Sequence, residues 1–479
     1  MPLSRRLIAA YSSVAFAAEL QSTFWGLYAL HFLTENVGLE PLYTGILILL
    51  YRTWDAINDT LFGFLSDRTT SARWGKRRGW MMAGTLPYVI TFALYWYPPF
   101  GENEGSELYS HNVRQAITFA WYFFLLFVCD AGFSAVNVAY LSLLGDITAD
   151  PQEKFSISLW RSIVLGIGSI VSIIASAIIS YGPVEDRLFG GEHLRGWIFL
   201  SIIFGTIYTG SVLVCVYETA GISVTGARAP SNAPSTFKAF RQTFSRLIGL
   251  SAVRLAVIIQ VSTVTAVQFS IACLAYFFLD VLKVDESKMA TVILTAVCVA
   301  TVVGILVKAC LSHAEKKSIL RAGLIVWMAF YVILSVIFEP GWYMYPAAAV
   351  MGIGLGLAIP IPLAMVTDTA DIVEHQLGER HDGVLFGMLQ LFNKFLLGIM
   401  LMLFQIGLQL SGFVKGQPMS YNAELAIRLG LLLPIAALML AYWANSNSPV
   451  SKGELARIAA DLASRRNPRD DIELLVSKT

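Results

Sequence analysis

Long apolar runs with few charged residues divide the chain. A helix needs about 20 mainly apolar residues to cross the hydrocarbon core of a bilayer, whereas barrel strands are short and alternate in polarity. By that criterion the sequence has about twelve such runs and predicts an all-α membrane protein with twelve transmembrane helices in two six-helix halves. The runs lie near residues 6–33, 41–66, 80–99, 113–144, 155–181, 194–219, 248–280, 288–311, 318–338, 342–373, 383–411 and 423–444.

The distribution of basic residues predicts the orientation. Lys and Arg concentrate in alternate connections, as the positive-inside rule expects of cytoplasmic loops. The connection 98–111, on the opposite side, contains three glutamates and no Lys or Arg. We therefore expect both termini to be cytoplasmic, in the inner (plasma) membrane of a bacterium. The basic residues are Arg5, Arg6, Arg73, Lys76, Arg77, Arg78, Lys154, Arg228, Lys238, Arg241, Arg246, Lys316, Lys317 and Arg321.

The longest connection separates the predicted halves. Its sequence is rich in Pro, Ser, Ala and Gly, which is typical of a flexible linker. We expect an N-terminal half at 1–220, a cytoplasmic linker at 221–245, a C-terminal half at 246–446 and a cytoplasmic tail at 447–479. In the tail, 452–466 has one apolar face and could form a helix on the inner membrane surface; an ordinary solvated tail is the alternative.

Composition excludes several classes of function. Of the 479 residues 56% are hydrophobic and 14% charged, and the net charge is +1, which gives no reason to expect a nucleic-acid partner. The five cysteines lie inside apolar runs, and the six histidines are scattered without a nucleophile or metal-ligand motif. We therefore expect no enzyme activity and no cofactor. The expected partners are a small-molecule substrate and membrane lipid, with the chain functional as a monomer.

Several ionisable residues nevertheless lie within the apolar runs. A charged residue at the centre of a span costs about 2.5 to 3.5 kcal/mol on insertion scales, so its presence indicates a polar cavity or an ion pathway. Five lie near mid-depth and one lies in the inner third of its span. They are Glu19, Asp55, Asp59, Asp130 and Lys394 at mid-depth, and Arg161.

Two polar stripes among these residues predict a cation site. Asp55 and Asp59 share one helix face about 6 Å apart along the axis, and Asn58 lies beside them. In the fourth span Asp130, Ser134 and Asn137 recur at spacings of four and three residues, which again makes one face. Facing each other, the stripes could enclose a small cation. Two close carboxylates in a low dielectric would hold a proton or recruit a positive ion.

Other readings of these charges remain open. Asp55 or Glu19 could form a buried ion pair with Lys394 or Arg161 that serves only helix registry. Arg52 lies one turn before Asp55 and could pair with it or close an extracellular gate, and Asp130 could likewise serve in an ion pair or a gate.

The neutral groups near Lys394 could serve a polar solute. Gln390 and Asn393, on the neighbouring turn, offer hydrogen-bond donors and acceptors. Pro360 and Pro362 predict a break in the tenth span, because proline removes a backbone hydrogen bond.

Two ordered motifs resemble the glycoside-pentoside-hexuronide cation symporters. The first is R-T-W-D-A-I-N-D-T-L-F-G-F-L-S-D-R-T-T-S-A-R-W-G-K-R-R at 52–78, and the second is D-I-V-E-H-Q-L-G-E-R-H-D-G-V-L-F-G-M-L-Q-L-F-N-K at 371–394. The resemblance implies the major facilitator fold and cation-coupled symport by alternating access.

Residue by residue, the resemblance implies a sodium site and a substrate site. The Na+ ligands would be Asp55 and Asp59, together with Asn58 and Ser134. The implied substrate-binding residues are Glu19, Asn137, Arg161, Gln390 and Lys394. Asn137 stands where the family pattern has an aspartate, and Leu141 and Pro362 stand where it has tryptophans.

The predicted function is therefore secondary active transport. The leading hypothesis is Na+-coupled symport of a sugar, glycoside, uronide or related polar organic solute, with H+ as the alternative coupling ion. A sodium-dependent lysophospholipid symporter, which resembles the family in the span-two aspartates and the span-eleven lysine, is the second hypothesis. A non-transporting membrane sensor is a more remote one.

Overall fold

The computed structural model consists of helices joined by short connections in the part of the chain that it describes. The described residues are 4–69, 75, 77–100, 109–147, 151–180, 193–220, 237–310, 315–336, 339–378, 382–414, 419–448, 453–454, 457–458 and 461. The helices are α1 Arg5–His31, α2 Pro41–Arg68, α3 Arg78–Tyr95, α4 His111–Ile147, α5 Pro151–Ile179, α6 His193–Glu218, α7 Phe237–Gly249, α8 Ser251–Ala275, α9 Glu286–Cys310, α10 Lys316–Ser335, α11 Met344–Ala358, α12 Pro360–Leu377, α13 Asp382–Leu410, α14 Tyr421–Gly430 and α15 Leu433–Asn447.

The all-helical membrane fold agrees with the prediction from the apolar runs. Among the described residues, eight helical segments are long and apolar enough to cross a membrane. The first two helices are not among them, because polar residues such as Glu19 and Asp55 lower their mean hydropathy. These two helices are also 27 and 28 residues long, which is sufficient for a span.

Two predicted spans are divided in the structure. The tenth run is broken at Ile359, between α11 and α12, and Pro360 is the first residue of α12; this confirms the break expected from the prolines. The last run forms α14 and α15, a division that we did not predict, and Pro434 lies in the first turn of α15. Proline is tolerated there because a first-turn N–H has no helical partner.

The predicted linker and tail lie mostly outside the described residues. The linker range 221–245 overlaps the first turns of α7, and residues 221–236 are outside the described part, so the domain boundaries stay a prediction. In the tail, Ile458 packs against Ala252 and Ile372. His375 Nε2 lies 2.8 Å from Asp461 Oδ2. The described tail residues therefore contact the end of the second half at which α8 begins.

A short π-helix follows the first helix of each half. After α1 comes Phe32–Asn36 and after α8 comes Tyr276–Val281. Each is followed by a residue with positive φ, Gly38 at 75° and Lys283 at 52°. The next backbone N–H, of Leu39 or Val284, then bonds back to a carbonyl inside the π-helix at 2.9 Å. This correspondence supports two repeated halves.

Glycines allow the closest helix contacts within each half. A Cβ placed at Gly84 of α3 would lie 2.6 Å from the carbonyl oxygen of Gly132 in α4. In the second half, a Cβ at Gly354 of α11 would lie 2.7 Å from Trp327 Cβ in α10. Only a glycine permits such an approach without a shift of the backbone.

The described hydrogen bonds between the halves lie at mid-depth and toward one end of the bundle. We call the end at which α1 begins the inner end, after the predicted orientation, and the opposite end the outer end. At the outer end His31 Nε2 lies 3.0 Å from Asp280 Oδ2, and the Tyr276 hydroxyl donates to the Leu30 carbonyl at 3.0 Å. The bundle is therefore closed at the outer end.

Candidate transport site

A large cavity lies between the two halves near mid-depth. Its volume is about 1090 Å³, and α1, α2, α3, α4, α5, α8, α9, α11, α12 and α13 contribute to its walls. Ligand pockets of drug-sized molecules are typically about 300 to 1,000 Å³. The cavity is therefore large enough for a small organic solute.

Lys394 of α13 holds the two carboxylates of the second helix together. Its Nζ lies 2.6 Å from Asp55 Oδ1 and 2.5 Å from Asp59 Oδ2. It also donates to the Asp55 backbone carbonyl at 3.1 Å. The spacing of Asp55 and Asp59 in the sequence had placed them on one face, and one ammonium now satisfies both. This arrangement is the buried ion pair that the sequence left open, and it joins the two halves.

The polar stripe of α4 faces the carboxylates of α2. Ser134 Oγ donates to Asp59 Oδ1 at 2.6 Å, and Asn58 Nδ2 donates to Asp130 Oδ2 at 3.1 Å. The Oδ1 atom of Asn58 is buried and has no hydrogen-bond partner. A buried polar atom is normally paired, so this oxygen is an exception among the polar groups of the two stripes. The two stripes thus face each other through Asn58 with Asp130 and Ser134 with Asp59, and Asn137 of the predicted stripe lies on the cavity lining.

Arg52 pairs with Asp55 and packs against α13. Its Nη1 lies 3.8 Å from Asp55 Oδ2, and its guanidinium carbon lies 5.2 Å from the centre of the Tyr51 ring. Its Cβ is 3.2 Å from the position that a Cβ would take at Gly398 of α13. Arg52 therefore lies in the contact between α2 and α13, at the outer side of the carboxylate cluster.

Glu19 faces the cavity from the first helix. Its Oε1 accepts a hydrogen bond from Thr23 at 3.2 Å, and the Thr23 hydroxyl lies 2.9 Å from that of Ser169 in α5. The close approach of α5 occurs at Gly168, where a Cβ would lie 2.8 Å from the Phe16 carbonyl oxygen. Sequence reasoning missed Thr23 and Ser169, because single hydroxyl residues in apolar helices carry no motif.

Four of the five predicted substrate residues line the cavity, among them Glu19 and Lys394, and one does not. Asn137 of α4 and Gln390 of α13 are on the lining. The guanidinium carbon of Arg161 instead lies 5.9 Å from the centre of the Tyr140 ring. Tyr140 itself stacks on Tyr11 with ring centres 4.4 Å apart. Arg161 is not among the described lining residues, and its role in substrate binding stays a prediction.

An amide network supports Lys394 on the second half. Thr265 donates to Asn393 Oδ1 at 3.0 Å, and Asn393 Nδ2 donates to Gln268 Oε1 at 3.3 Å. Gln268 and Asn393 both line the cavity. The network fixes α13 against α8 in the turn that carries Lys394.

The side chains that α2 and α4 bring together present mainly oxygen atoms. Among the described residues, no group of three or more His, Cys, Asp or Glu side chains could hold a metal ion. The cluster offers carboxylate, amide and hydroxyl oxygens, which are hard ligands suited to hard cations.

A helical bundle with membrane-spanning helices, a cavity between two repeated halves and closure at one end is the architecture of transporters of the major facilitator type. The chain belongs to the MFS/sugar transport protein family, whose model matches residues 10–444.

Known proteins agree with this assignment. The chain is 24% identical to an uncharacterized symporter, sll1374, of Synechocystis sp., over 87% of this chain and 88% of that protein. It is 23% identical to a glucuronide carrier protein homolog of Escherichia coli (strain K12), over 98% of both. The crystal structure of the nucleoside transporter NupG has a TM-score of 0.59 at 10% identity and covers 92% of this chain and 99% of that one; this likeness shows the fold. These proteins are transporters, and the chain is a transporter rather than an enzyme.

Proposed function

We propose that the protein is a cation-coupled symporter, with Na+ as the coupling ion, for a sugar, glycoside, uronide or related polar organic solute. The observation that carries the proposal is the position of Lys394 between Asp55 and Asp59, on the wall of a cavity between two repeated halves. H+ is the alternative coupling ion.

The lysine and the coupling ion would compete for the same oxygens. An ammonium between two carboxylates neutralises much of their repulsion in a low dielectric. A Na+ ion that binds Asp55 and Asp59 neutralises this repulsion in place of the ammonium and thereby releases the ammonium. Asn58 Oδ1, buried without a partner, and Ser134 Oγ can complete the coordination of the ion.

Release of the ammonium links the ion to the substrate. Lys394 lines the cavity near Gln390 and Asn393, so a freed ammonium can donate to a hydroxyl or carboxylate of a solute there. Such coupling is reciprocal, because the ion raises the affinity for the solute by the factor by which the solute raises the affinity for the ion. An ion gradient can then drive solute accumulation.

Because the bundle is closed at the outer end, transport by alternating access requires the contacts there to open. The outer end is held by His31 with Asp280 and by Tyr276 with Leu30, so these contacts must open when the cavity faces the outer side. The proposal includes cytoplasmic termini, a bacterial inner membrane, surrounding lipid and a functional monomer.

A thermal-stability screen of the purified protein tests the proposal, because a ligand that binds the folded state stabilises it. Methyl and p-nitrophenyl glycosides, a hexuronide and lysophosphatidylcholine are each added in NaCl, LiCl or choline chloride. A glycoside that raises Tm with NaCl and not with choline chloride is the expected result. Equal shifts of Tm in all three salts at several pH values would overturn cation coupling. A shift of Tm with lysophosphatidylcholine alone would favour a lysophospholipid symporter.

The carboxylates provide a matched pair of variants. Asp59→Asn should abolish the sodium-dependent shift, since it removes a charged ligand. Asp285→Asn should leave it intact, because that carboxylate is 73% exposed beside Lys288 at the outer end. Loss of the shift in both variants, or in neither, would contradict the assignment of Asp59.

A further inference from the structure

The walls of the transport cavity differ in polarity. All of the charged side chains on the described lining come from α1, α2, α4 and α13. The lining residues of α9 and α11 are apolar or glycine, apart from Thr301. We call the surface formed by Val297, Ala300, Ile305, Met351, Leu355 and Ile359 the apolar wall.

The apolar wall is held open by close backbone packing. A Cβ at Gly352 would lie 2.5 Å from the Ala296 carbonyl oxygen, and a Cβ at Gly356 would lie 2.6 Å from that of Ala300. The helices α9 and α11 thus touch through their backbones, and their side chains project on either side of the contact. The wall cannot collapse into the cavity to cover itself. Ile305 remains 64% and Ile359 47% exposed.

An apolar surface of this kind favours an apolar ligand group. Water against it is released when a hydrocarbon group covers it, and each buried methylene strengthens binding by about three- to fourfold. A free sugar presents hydroxyls on nearly every carbon and would leave the apolar wall hydrated. A cavity that has this apolar wall and, on other helices, the carboxylate cluster therefore matches a solute with one polar and one apolar part.

The charge of the polar wall selects among polar groups. Four carboxylates on the described lining, Glu19, Asp55, Asp59 and Asp130, face two basic groups, Arg52 and Lys394. An anionic group such as a uronate or a phosphate would lie close to these carboxyl groups, while both basic groups already lie within 4 Å of Asp55 or Asp59. A neutral group with hydroxyls can instead donate to carboxylates and accept from Lys394.

We infer that the substrate is a neutral glycoside with an apolar aglycone, whose sugar binds at α1, α4 and α13 and whose aglycone lies against the apolar wall. The inference rests on the proposed function and narrows its substrate class.

Calorimetric binding to the protein in nanodiscs with NaCl tests the inference. For several hexoses, the free sugar is compared with its methyl, propyl and phenyl glycosides and with the corresponding uronide. Affinity should rise from methyl to propyl by about three- to fourfold per methylene, the phenyl glycoside should bind more tightly than the methyl, and the uronide should bind more weakly than its neutral partner.

Two valines of α9 provide a matched pair for the position of the aglycone. Val297→Thr places a hydroxyl on the apolar wall and should weaken phenyl glycoside binding by about fourfold, the value of one buried methyl, with methyl glycoside binding and the sodium dependence unchanged. Val302→Thr makes the same change at a residue that is 56% exposed and is not on the described lining, and it should have no effect.

The remaining outcomes separate this inference from the proposed function. Sodium-dependent binding of sugars with no gain from propyl or phenyl groups would overturn the inference and leave symport intact. A gain that Val297→Thr does not reduce would place the aglycone elsewhere. Binding of no sugar or glycoside under any cation would overturn the proposed function and the inference with it.

Discussion

His31 and Asp280 meet across the outer ends of α1 and α8, with the imidazole Nε2 3.0 Å from a carboxylate oxygen. Close to this contact the Thr34 and Tyr276 hydroxyls lie 2.7 Å apart. The residues belong to, or directly precede, the corresponding π-helices of the two halves. The outer closure is thus formed by the two corresponding π-helical segments, one from each half.

Asp280→Asn should weaken the outer closure, because the amide keeps the shape of the side chain and loses its charge. Hydrogen bonds to charged groups contribute about 1.5 to 3 kcal/mol, so the equilibrium should move toward the outward-open state by roughly tenfold. The measurement is the labelling rate of Ile305→Cys, at the cavity lining, by a maleimide in a background without native cysteines. We expect slower labelling, with Asp285→Asn as the exposed control; equal rates in the two would contradict a gating role.

Gly45→Val should hinder closure of the outer end sterically. A Cβ at Gly45 of α2 would lie 3.0 Å from Gln405 Cβ and 3.3 Å from Met402 Cα in α13, so a branched side chain separates the two helices there. We expect the turnover rate in proteoliposomes to fall by roughly tenfold, the effect of about 1.4 kcal/mol. Gly407→Val is the control, since no atom lies within 4 Å of its added Cβ. A similar loss of turnover in both variants would point to a general helix effect.

The local arrangement of the site was predictable, and its partners across the cavity were not. A spacing of four residues fixes Asp55 and Asp59 on one helix face in any α-helix, and the structure places them so. Which basic group meets them depends on packing between helices that are more than 300 residues apart in the sequence. The sequence left Lys394 and Arg161 open as partners of the carboxylates, and Arg52 as a partner of Asp55. The structure brings Lys394 to both carboxylates and Arg52 to within 3.8 Å of Asp55. Arg161 instead lies beside the Tyr140 ring.

The irregular parts of the fold had weaker signals in the sequence than the spacing of the site residues. Pro360 marked the break before α12, because proline cannot continue the hydrogen-bond ladder. The π-helices after α1 and α8 carry no proline and were not predicted. A π-helix shifts the hydrogen-bond register by one residue and leaves the apolar periodicity almost unchanged. Gly38 was a possible signal, but its counterpart in the second half is Lys283.

Gly356→Ala should destabilise the second half. The added methyl would lie 2.6 Å from the Ala300 carbonyl oxygen, and overpacking of this kind typically costs about 1 to 3 kcal/mol. Gly210→Ala in α6 is the matched control, because nothing lies within 4 Å of its Cβ and alanine favours a helix by about 1 kcal/mol over glycine. A lower Tm for Gly356→Ala with an equal or higher Tm for Gly210→Ala is expected. A Tm for Gly356→Ala at or above that of the unmodified protein would refute the tight contact.

Lys394→Met should expose the competition between the lysine and the coupling ion. Without the ammonium, Asp59 loses the basic group that contacts it and Asp55 keeps only Arg52, 3.8 Å away. Removing one partner of an ion pair in a low dielectric is destabilising. Tm in choline chloride should therefore fall. NaCl should restore most of it, and the half-saturating Na+ concentration should drop by roughly tenfold, because no bound cation has to be displaced.

Two further variants make this result specific to the site. Lys288→Met, which removes an exposed lysine 3.8 Å from Asp285, should leave Tm and its sodium dependence unchanged. Adding Asp59→Asn to Lys394→Met should lower the response to NaCl, since one of the two charged ligands is lost, and it should raise Tm in choline chloride, since the repulsion between the carboxylates is removed. If Lys394→Met instead lost all response to NaCl, the lysine would be needed to organise the ion site rather than to compete with the ion, and the release step that links ion to substrate would have to be abandoned.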